Sequence, residues 1–474
     1  MNPAVAGDRA PASQSEIEKN ERLSRELSTR QLGMIAIGGA IGTGLFLGSS
    51  LAVRMAGPGV IFSYIIGAGI ALLLMLALSE MAAAHPTAGS FGVHAELYLS
   101  RWAGFTMRYT YWAAQSIANG SECVAAAIYC QWWFPHTPRW AWILGFSVAL
   151  VYVNARSVGN FGSFEYWFST IKVTAIVLFI VFGAALLTGL GGRPAIGLAN
   201  YTAYGGLLPN GFAGVWMAMV FVIFGYLGTE IVAVTAGEAR DPQVAVPRAM
   251  RQMVFRLIVF YLGAIAALVG IVPWNRIQPG ADVTASPFVK VFQLIGVPAA
   301  AHVVNFVVIT AVASSLNCNL YIVTRMLFSL ARGGYAPALF GRVSARGTPL
   351  AALLASTGGL ALAVLVAAFY PNGAYVYLFG ISLFGGLYVW LAIFLTHLCF
   401  RRARAGAFPW LSVAGAAAIA AILATTWWVA GMRVTLIAGL PWLAALSAGY
   451  WCWGRKQAGL GNNQVGELPA SRHV

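Results

Sequence analysis

The chain has 474 residues, of which 59% are hydrophobic and only 9% are charged. This mixture excludes a soluble globular protein, whose surface needs far more charge, and it predicts an outer surface that faces lipid. The net charge of +15 does not indicate a nucleic-acid partner, because the basic residues stand between apolar runs and are explained by membrane topology.

Residues 1–28 are polar and carry charges of both signs, which is unlike a signal peptide and predicts a cytoplasmic tail. After this tail we count twelve apolar runs of the length that a spanning helix needs. Numbered as spans one to twelve, they lie near 33–53, 59–84, 104–133, 140–155, 164–188, 212–236, 254–274, 301–330, 350–369, 375–398, 409–431 and 434–453. Residues 456–474 form a second predicted tail. The sequence therefore predicts an all-α polytopic membrane protein of about twelve transmembrane helices.

Positively charged residues are concentrated in alternate loops. With the N-terminus in the cytoplasm, the cytoplasmic loops and tail hold most of the arginines, among them Arg401, Arg402 and Arg404, whereas the external loops hold few. This asymmetry predicts that both termini are cytoplasmic and that the number of spans is even. The expected location is the cell (inner) membrane.

Two spans contain glycine-rich interruptions. Span one has five glycines within 33–44, each of which weakens a helix by about 1 kcal/mol relative to alanine. Span six has Gly225 and Gly228 beside Glu230, a carboxylate at membrane depth. Non-helical backbone at this depth is tolerated only where it is buried in protein or lines a cavity, so two breaks five spans apart predict an inverted-repeat transporter with a midplane site. The alternative is that the glycines only permit close helix packing.

The two breaks offer backbone groups that suit a zwitterion. In span one, the start of the second half-helix presents N–H groups and the positive end of a helix dipole, which favour a carboxylate. In span six, free carbonyl groups favour an ammonium group. Both signs close together predict a ligand such as an α-amino acid.

Several motifs follow one another in an order that is specific to one protein family. They are 38–48 (GGAIGTGLFLG), Glu80 with 85–91 (HPTAGSF), 171–173 (IKV), 228–232 (GTEIV) with 237–238 (GE), and 315–317 (SLN) with 325–331 (RMLFSLA). In these motifs the chain, from about Leu27 to Arg455, resembles the amino acid transporter family of the amino acid–polyamine–organocation superfamily.

The resemblance implies one permease domain over 29–455, with inverted five-helix repeats at about 33–188 and 212–398 and two further helices at about 409–453. It implies that backbone groups of span one hold the substrate carboxylate and that span six lines the amine side, with an aromatic gate at Phe224. The implied substrate-binding residues are Ile41, Gly42, Thr43, Gly44, Phe224, Gly225, Tyr226 and Gly228. The implied coupling ion is a proton, with no other cofactor and no metal.

Ionisable residues at membrane depth are candidates for coupling or gating. In relatives of this fold a sodium ion lies near the position of Lys172, so the resemblance implies that its ammonium group replaces the ion; a structural ion pair is the alternative. Glu230 is a candidate for a gating or proton-linked carboxylate, and equally for a cap of the break in span six. Glu122 in span three suits either a proton role or a structural one.

Three further carboxylates lie closer to the predicted cytoplasmic ends of the spans. Glu238 follows Glu230 by two turns and is a secondary gating candidate, or holds the loop that follows it. Glu80 and Glu165 are expected to anchor helix ends.

Other classes of protein fit the sequence less well. The six histidines are scattered and no metalloprotease or serine-hydrolase motif appears, which argues against an enzyme, and no channel filter is visible. The expected function is uptake of an amino acid by proton symport with alternating access; the alternatives are an exchanger and a non-transporting sensor. Since no extra acidic residue suits a basic side chain, we expect a neutral or aromatic substrate. The lipid bilayer is the other expected partner, and the oligomeric state stays open.

Overall fold

The computed structural model describes residues 34, 39, 41–85, 90–155, 158–190, 194–234, 242–277, 286–294, 296, 298–344, 347–404 and 409–454. Within these residues the regular structure is helical and no strand is present. Every one of the twelve predicted runs contains a helix, which confirms the prediction of an all-α polytopic protein.

The helices follow the predicted spans in order. Span one contains a π-helical turn, Gly44–Gly48, and the α-helix Ser49–Ala56, and span six contains Gly211–Tyr226 and Ile231–Val234. The other spans contain Val60–Ala84, Arg101–Cys130, Arg139–Asn154, Val158–Thr188, Pro242–Ile271, Pro298–Arg332, Leu350–Ser356 with Gly358–Phe369, Ala374–Ala403, Trp410–Thr425 and Val434–Gly449. The short helices Ser90–Tyr98 and Pro287–Leu294 lie between spans.

The outer surface of the bundle is apolar. Among the described residues, eight helical segments are long and apolar enough to cross a bilayer, and the first of them, Gly44–Ala84, includes spans one and two. Large apolar side chains on the outside, such as Leu178 and Val181 of span five, are 62% and 60% exposed. A surface of this kind is stable in lipid rather than in water.

Each of the first four spans packs against the span five positions later in the chain. Span one contacts span six, span two contacts span seven, span three contacts span eight, and span four contacts span nine. This is the packing that two inverted repeats produce when they interlock. It brings the glycine-rich breaks of spans one and six together near the centre of the bundle.

Small residues also bring spans three and nine close together. A Cβ at Gly359 of span nine would lie 1.8 Å from the carbonyl oxygen of Ser116 in span three, and one at Gly120 would lie 2.6 Å from the carbonyl oxygen of Gly359. Without a side chain at either position the two backbones come into contact, as small residues allow in membrane helices.

We expect Gly359→Ala to lower the thermal unfolding midpoint of the purified protein, because the new methyl group meets the backbone of span three. The cost of such overpacking is about 1–3 kcal/mol. Gly358→Ala is the matched control, since a Cβ there has no atom within 4 Å. Equal midpoints for the two variants would contradict this account of the crossing.

Candidate functional site

The two broken spans meet at a narrow cavity inside the bundle. Its walls are the backbone of both breaks together with side chains from spans three, eight and ten. The lining residues are Gly39, Gly42, Gly44, Gln115, Glu122, Phe224, Gly225, Leu227, Gly228, Asn319, Ser382 and Gly386. A volume of about 30 Å³ accommodates no more than a few water molecules, so a larger ligand requires the walls to move apart.

Span one departs from the α-helix at Ile41 and Gly42 and continues as the π-helical turn Gly44–Gly48. No side chain caps the start of this turn, so its first N–H groups direct the positive end of the helix dipole at the break. Gly44 is required here because a Cβ would lie 2.7 Å from the Cα of Gly225 in span six. The two breaks therefore touch through their backbones.

In span six the first helix ends at Tyr226, because Leu227 adopts an extended conformation and Gly228 has a φ of 99°. Only glycine adopts that φ without strain, so Gly228 is needed for the break. Both carboxylate oxygens of Glu230 accept from the Gly228 N–H, at 3.1 and 3.0 Å. The carboxylate thus satisfies a backbone group that the break releases.

Glu230 receives hydrogen bonds from two further spans. Tyr111 Oη donates to its Oε1 at 3.0 Å, and the Trp390 indole N–H donates to its Oε2 at 3.1 Å. Backbone and indole N–H groups can only donate, so these surroundings suit an ionised carboxylate, which can only accept. The contacts are those of a cap, and the proton-linked role of Glu230 stays a prediction.

Two of the carbonyl groups at the break in span six already have partners. Gly225 O accepts from Tyr261 Oη at 2.6 Å, and Tyr226 O accepts from the Thr229 N–H at 3.3 Å. The expectation of free carbonyls was therefore wrong for these two groups. Each oxygen still has a second lone pair, and together they form the negative end of a helix, so this side of the cavity continues to favour a cation.

The aromatic side chains of span six have different surroundings. Phe224 lines the cavity and packs on Phe379 of span ten, with ring centroids 4.0 Å apart. Tyr226 Oη instead donates to the carbonyl of Tyr64 at 3.0 Å, and its ring packs against Tyr64 and Tyr261. Phe224 is thus positioned to close one side of the cavity, whereas the Tyr226 side chain braces spans two and seven.

Glu122 approaches the break in span one. Its Oε1 accepts from Ser315 Oγ at 3.0 Å, and the carboxylate also interacts with the backbone of Thr43. A Cβ at Gly42 would lie 2.3 Å from this Oε1, so the absence of a side chain at 42 admits the carboxylate. Its other oxygen, Oε2, has no hydrogen-bond partner among the described residues. A carboxylate thus borders the place where the resemblance implies an anion site.

Lys172 holds the other side of that break. It is fully buried in span five, and its Nζ donates to the carbonyl of Ile41 at 2.7 Å. The carboxylates of Glu165, two turns earlier in the same helix, and of Glu122 lie near enough to interact electrostatically with it. The ammonium group therefore links the broken backbone of span one to buried carboxylates.

Glu165, predicted as a helix-end anchor, is instead completely buried. Its carboxylate accepts from Ser169 Oγ at 2.8 Å, from Ser314 Oγ, and from Asn317 Nδ2 at 3.4 Å. Asn317 Oδ1 in turn accepts from Asn154 Nδ2 at 2.8 Å. The prediction was wrong because position along the helix does not reveal rotation, and rotation turns Glu165 toward span eight.

Three polar side chains of the cavity were not named from sequence as site residues. Gln115 lies in span three, Ser382 lies in span ten, and Asn319 lies in span eight. Its only sequence signal is a carboxamide inside an apolar run. Glu238 lies outside the described residues.

Comparison with known proteins gives a uniform result. A family model described as amino acid permease matches residues 31–458. The chain is 40% identical to the gamma-aminobutyric acid permease of Bacillus subtilis over 88% of its own length and 90% of that protein. It is 37% identical to the aromatic amino acid transport protein AroP of Escherichia coli, over 91% of its own length and 96% of that protein. It is 36% identical to the probable threonine/serine transporter YbxG of Bacillus subtilis, over 93% of its own length and 98% of that protein.

We expect Lys172→Met and Glu165→Gln to show strong coupling in a double-mutant cycle of thermal unfolding in detergent. Removing the ammonium alone leaves buried carboxylates without their cation, which is strongly destabilising. The double variant removes charges of both signs and should be more stable than Lys172→Met alone, with a coupling energy of about 1 kcal/mol or more.

The control for this cycle is Glu80→Gln, since Glu80 contacts His397 and Arg401 at a partly exposed helix end. The change in the free energy of unfolding that Glu80→Gln causes should simply add to the change caused by Lys172→Met. Simple additivity for Glu165→Gln as well would show that Glu165 is not the counter-charge of Lys172.

Proposed function

The chain belongs to the amino acid permease family, and from this premise we propose that it is a multi-pass transporter of the bacterial inner membrane that imports an amino acid together with a proton. The observation that carries the proposal is the meeting of two broken spans at one buried cavity. The chain binds and releases its substrate there and does no covalent chemistry on it.

Recognition of the zwitterion follows from the two helix ends. The uncapped start of the turn Gly44–Gly48 presents N–H groups and a positive dipole to a carboxylate. The C-terminal end of Gly211–Tyr226 presents carbonyl oxygens to an ammonium group. Because Gly44 and Gly225 touch, one small zwitterion can reach both helix ends.

Glu122 supplies a reason for proton coupling. A substrate carboxylate that approaches Gly42 and Thr43 meets the Glu122 carboxylate, which lines the same cavity and has one oxygen without a hydrogen-bond partner in the part of the chain that the structure describes. Two carboxylates in one buried cavity repel each other unless one of them carries a proton. Substrate binding and protonation of Glu122 therefore favour each other, which is the thermodynamic requirement of symport.

The other buried charges have different roles in this scheme. Glu230 is saturated by donors and holds the break in span six in shape, while Lys172 holds the break in span one through the Ile41 carbonyl. The contact of Phe224 with Phe379 closes one side of the cavity. Alternating access then requires this contact to open while the two breaks keep their geometry.

Uptake into proteoliposomes tests the coupling. We expect an inward proton gradient to raise accumulation of the substrate and an uncoupler to abolish the rise. In Glu122→Gln, which cannot ionise, the gradient should have no effect, whereas exchange of external for internal substrate should persist. Thr396→Ala is the control, since Thr396 bonds only to the carbonyl of Ala392 in its own helix among the described residues.

Other results would identify the alternatives. Flux that ignores the gradient but needs internal amino acid would indicate an exchanger. Binding without any flux, in vesicles where a known permease is active, would indicate a sensor.

We expect Gly44→Ala to lower substrate affinity by tenfold or more, because the added Cβ pushes the two helix ends apart and about 1.4 kcal/mol corresponds to a factor of ten. Gly48→Ala, one turn later in the same helix, should bind like the wild type, since its nearest neighbour would be 3.8 Å away. Binding of radiolabelled substrate to the purified protein measures both. Equal affinities would refute the contact of the two breaks as the basis of recognition.

A further inference from the structure

Away from Glu122, one end of the cavity carries neutral polar side chains. Gln115 lies seven residues before Glu122 in span three, a rise of roughly 10 Å along the helix. Asn319 lies one turn beyond Ser315, the partner of Glu122, in span eight. The two spans run antiparallel, since Asn305 bonds to Tyr129 on one side of this pair and Tyr109 bonds to Tyr335 on the other, so both carboxamides lie on the same side of Glu122. Ser382 of span ten is a further neutral polar side chain, and all three line the cavity.

These side chains are buried, and some of their hydrogen-bonding groups have no protein partner among the described residues. Asn319 is 6% exposed, and among the described residues its carboxamide makes no hydrogen bond. Ser382 Oγ donates to the carbonyl of Phe379 at 2.8 Å, which leaves the hydroxyl oxygen free to accept. Gln115 interacts with the Tyr111 hydroxyl and still faces the cavity. Buried donors and acceptors need partners, and a polar group of a ligand that displaces water from this cavity can supply them.

The same end of the cavity limits the size of what it takes. Leu227 packs against Gly386, where a Cβ would lie 2.3 Å from a Leu227 methyl carbon, and Phe224 forms a further wall. Among the residues lining the cavity the only charged one is Glu122, and it belongs to the other end. The polar end therefore suits a side chain that is short and neutral.

We propose that the substrate is an amino acid with a short, neutral side chain that both donates and accepts hydrogen bonds, that is, a hydroxyl or a carboxamide, and that Asn319 is the residue that selects it. This inference rests on the proposed function. A hydroxyl or carboxamide of the ligand satisfies the donor and the acceptor of Asn319 together with the Ser382 oxygen. An aliphatic or aromatic side chain would leave these groups buried without partners, and sites of this kind discriminate strongly against such ligands.

Competition for uptake by the full-length protein in proteoliposomes tests the inference. Each of the twenty amino acids is first offered as a radiolabelled substrate, and the transported one is then competed with serine, threonine, asparagine, glutamine, leucine, phenylalanine, lysine and glutamate. We expect the first four to compete at least tenfold better than leucine and phenylalanine. In Asn319→Leu this ratio should fall at least tenfold, because leucine replaces the carboxamide by an apolar group of similar size.

Ser382→Ala should also reduce the preference for polar competitors. Its matched control is Ser147→Ala, since Ser147 Oγ makes the same kind of bond, to the Ile143 carbonyl within its own helix, and does not line the cavity. The unfolding midpoint of each variant shows whether it is folded. The ratio of competitors within one variant is independent of the amount of active protein.

The outcomes separate the two proposals. Transport confined to aromatic, aliphatic or charged amino acids would overturn the inference and leave the proposed function standing. An Asn319→Leu variant that is folded and weakens all competitors equally would overturn the role of Asn319 in selection. No transport of any amino acid, beside a working control permease, would overturn the proposed function and the inference with it.

Discussion

Backbone that leaves the helix inside a membrane must find its hydrogen-bond partners within the protein, because lipid offers none. Spans one and six both meet this constraint at the same depth. The Ile41 carbonyl is held by Lys172, the Gly228 N–H by Glu230, and the Gly225 carbonyl by Tyr261. The partners come from different spans, so the two breaks fix how the surrounding helices are rotated, and the cavity between them is a consequence of that arrangement.

Buried charge follows from the same constraint. Ionisable side chains at the breaks bond to backbone groups that the broken helices release. The charge of each buried side chain must in turn be stabilised by an opposite charge or by hydrogen bonds. Lys172 and Glu165 compensate each other, and Glu230 is compensated by the donors around it. Glu122 alone among these carboxylates keeps an oxygen without a partner in the described residues. The incompletely satisfied group is the one that lies beside the predicted carboxylate site, and this asymmetry is the reason that we propose Glu122, rather than Glu165 or Glu230, as the proton-coupled group.

How much of this could be predicted from sequence depended on the range of the interaction. The spans follow from hydropathy, and the breaks follow from glycines that weaken a helix locally. Gly228 does lie in the break of span six, whereas Gly225 is in the last turn of the helix before it and Gly44 begins the helical turn after the break of span one. Partners across spans depend on helix rotation, which a helix that is apolar all round does not reveal. For this reason Glu165 was misassigned, and Asn319 was missed although it stands two residues from a recognised motif.

The most direct test of the account is whether both charged ends of one amino acid are recognised at the two breaks. Equilibrium binding to the purified protein can be competed with the free amino acid, with its methyl ester and with its N-acetyl derivative. The account predicts that the free amino acid competes and that each derivative loses at least tenfold in affinity, since each removes one charge that a helix end binds. A derivative that competes as well as the free amino acid would contradict the recognition of a zwitterion by the broken spans.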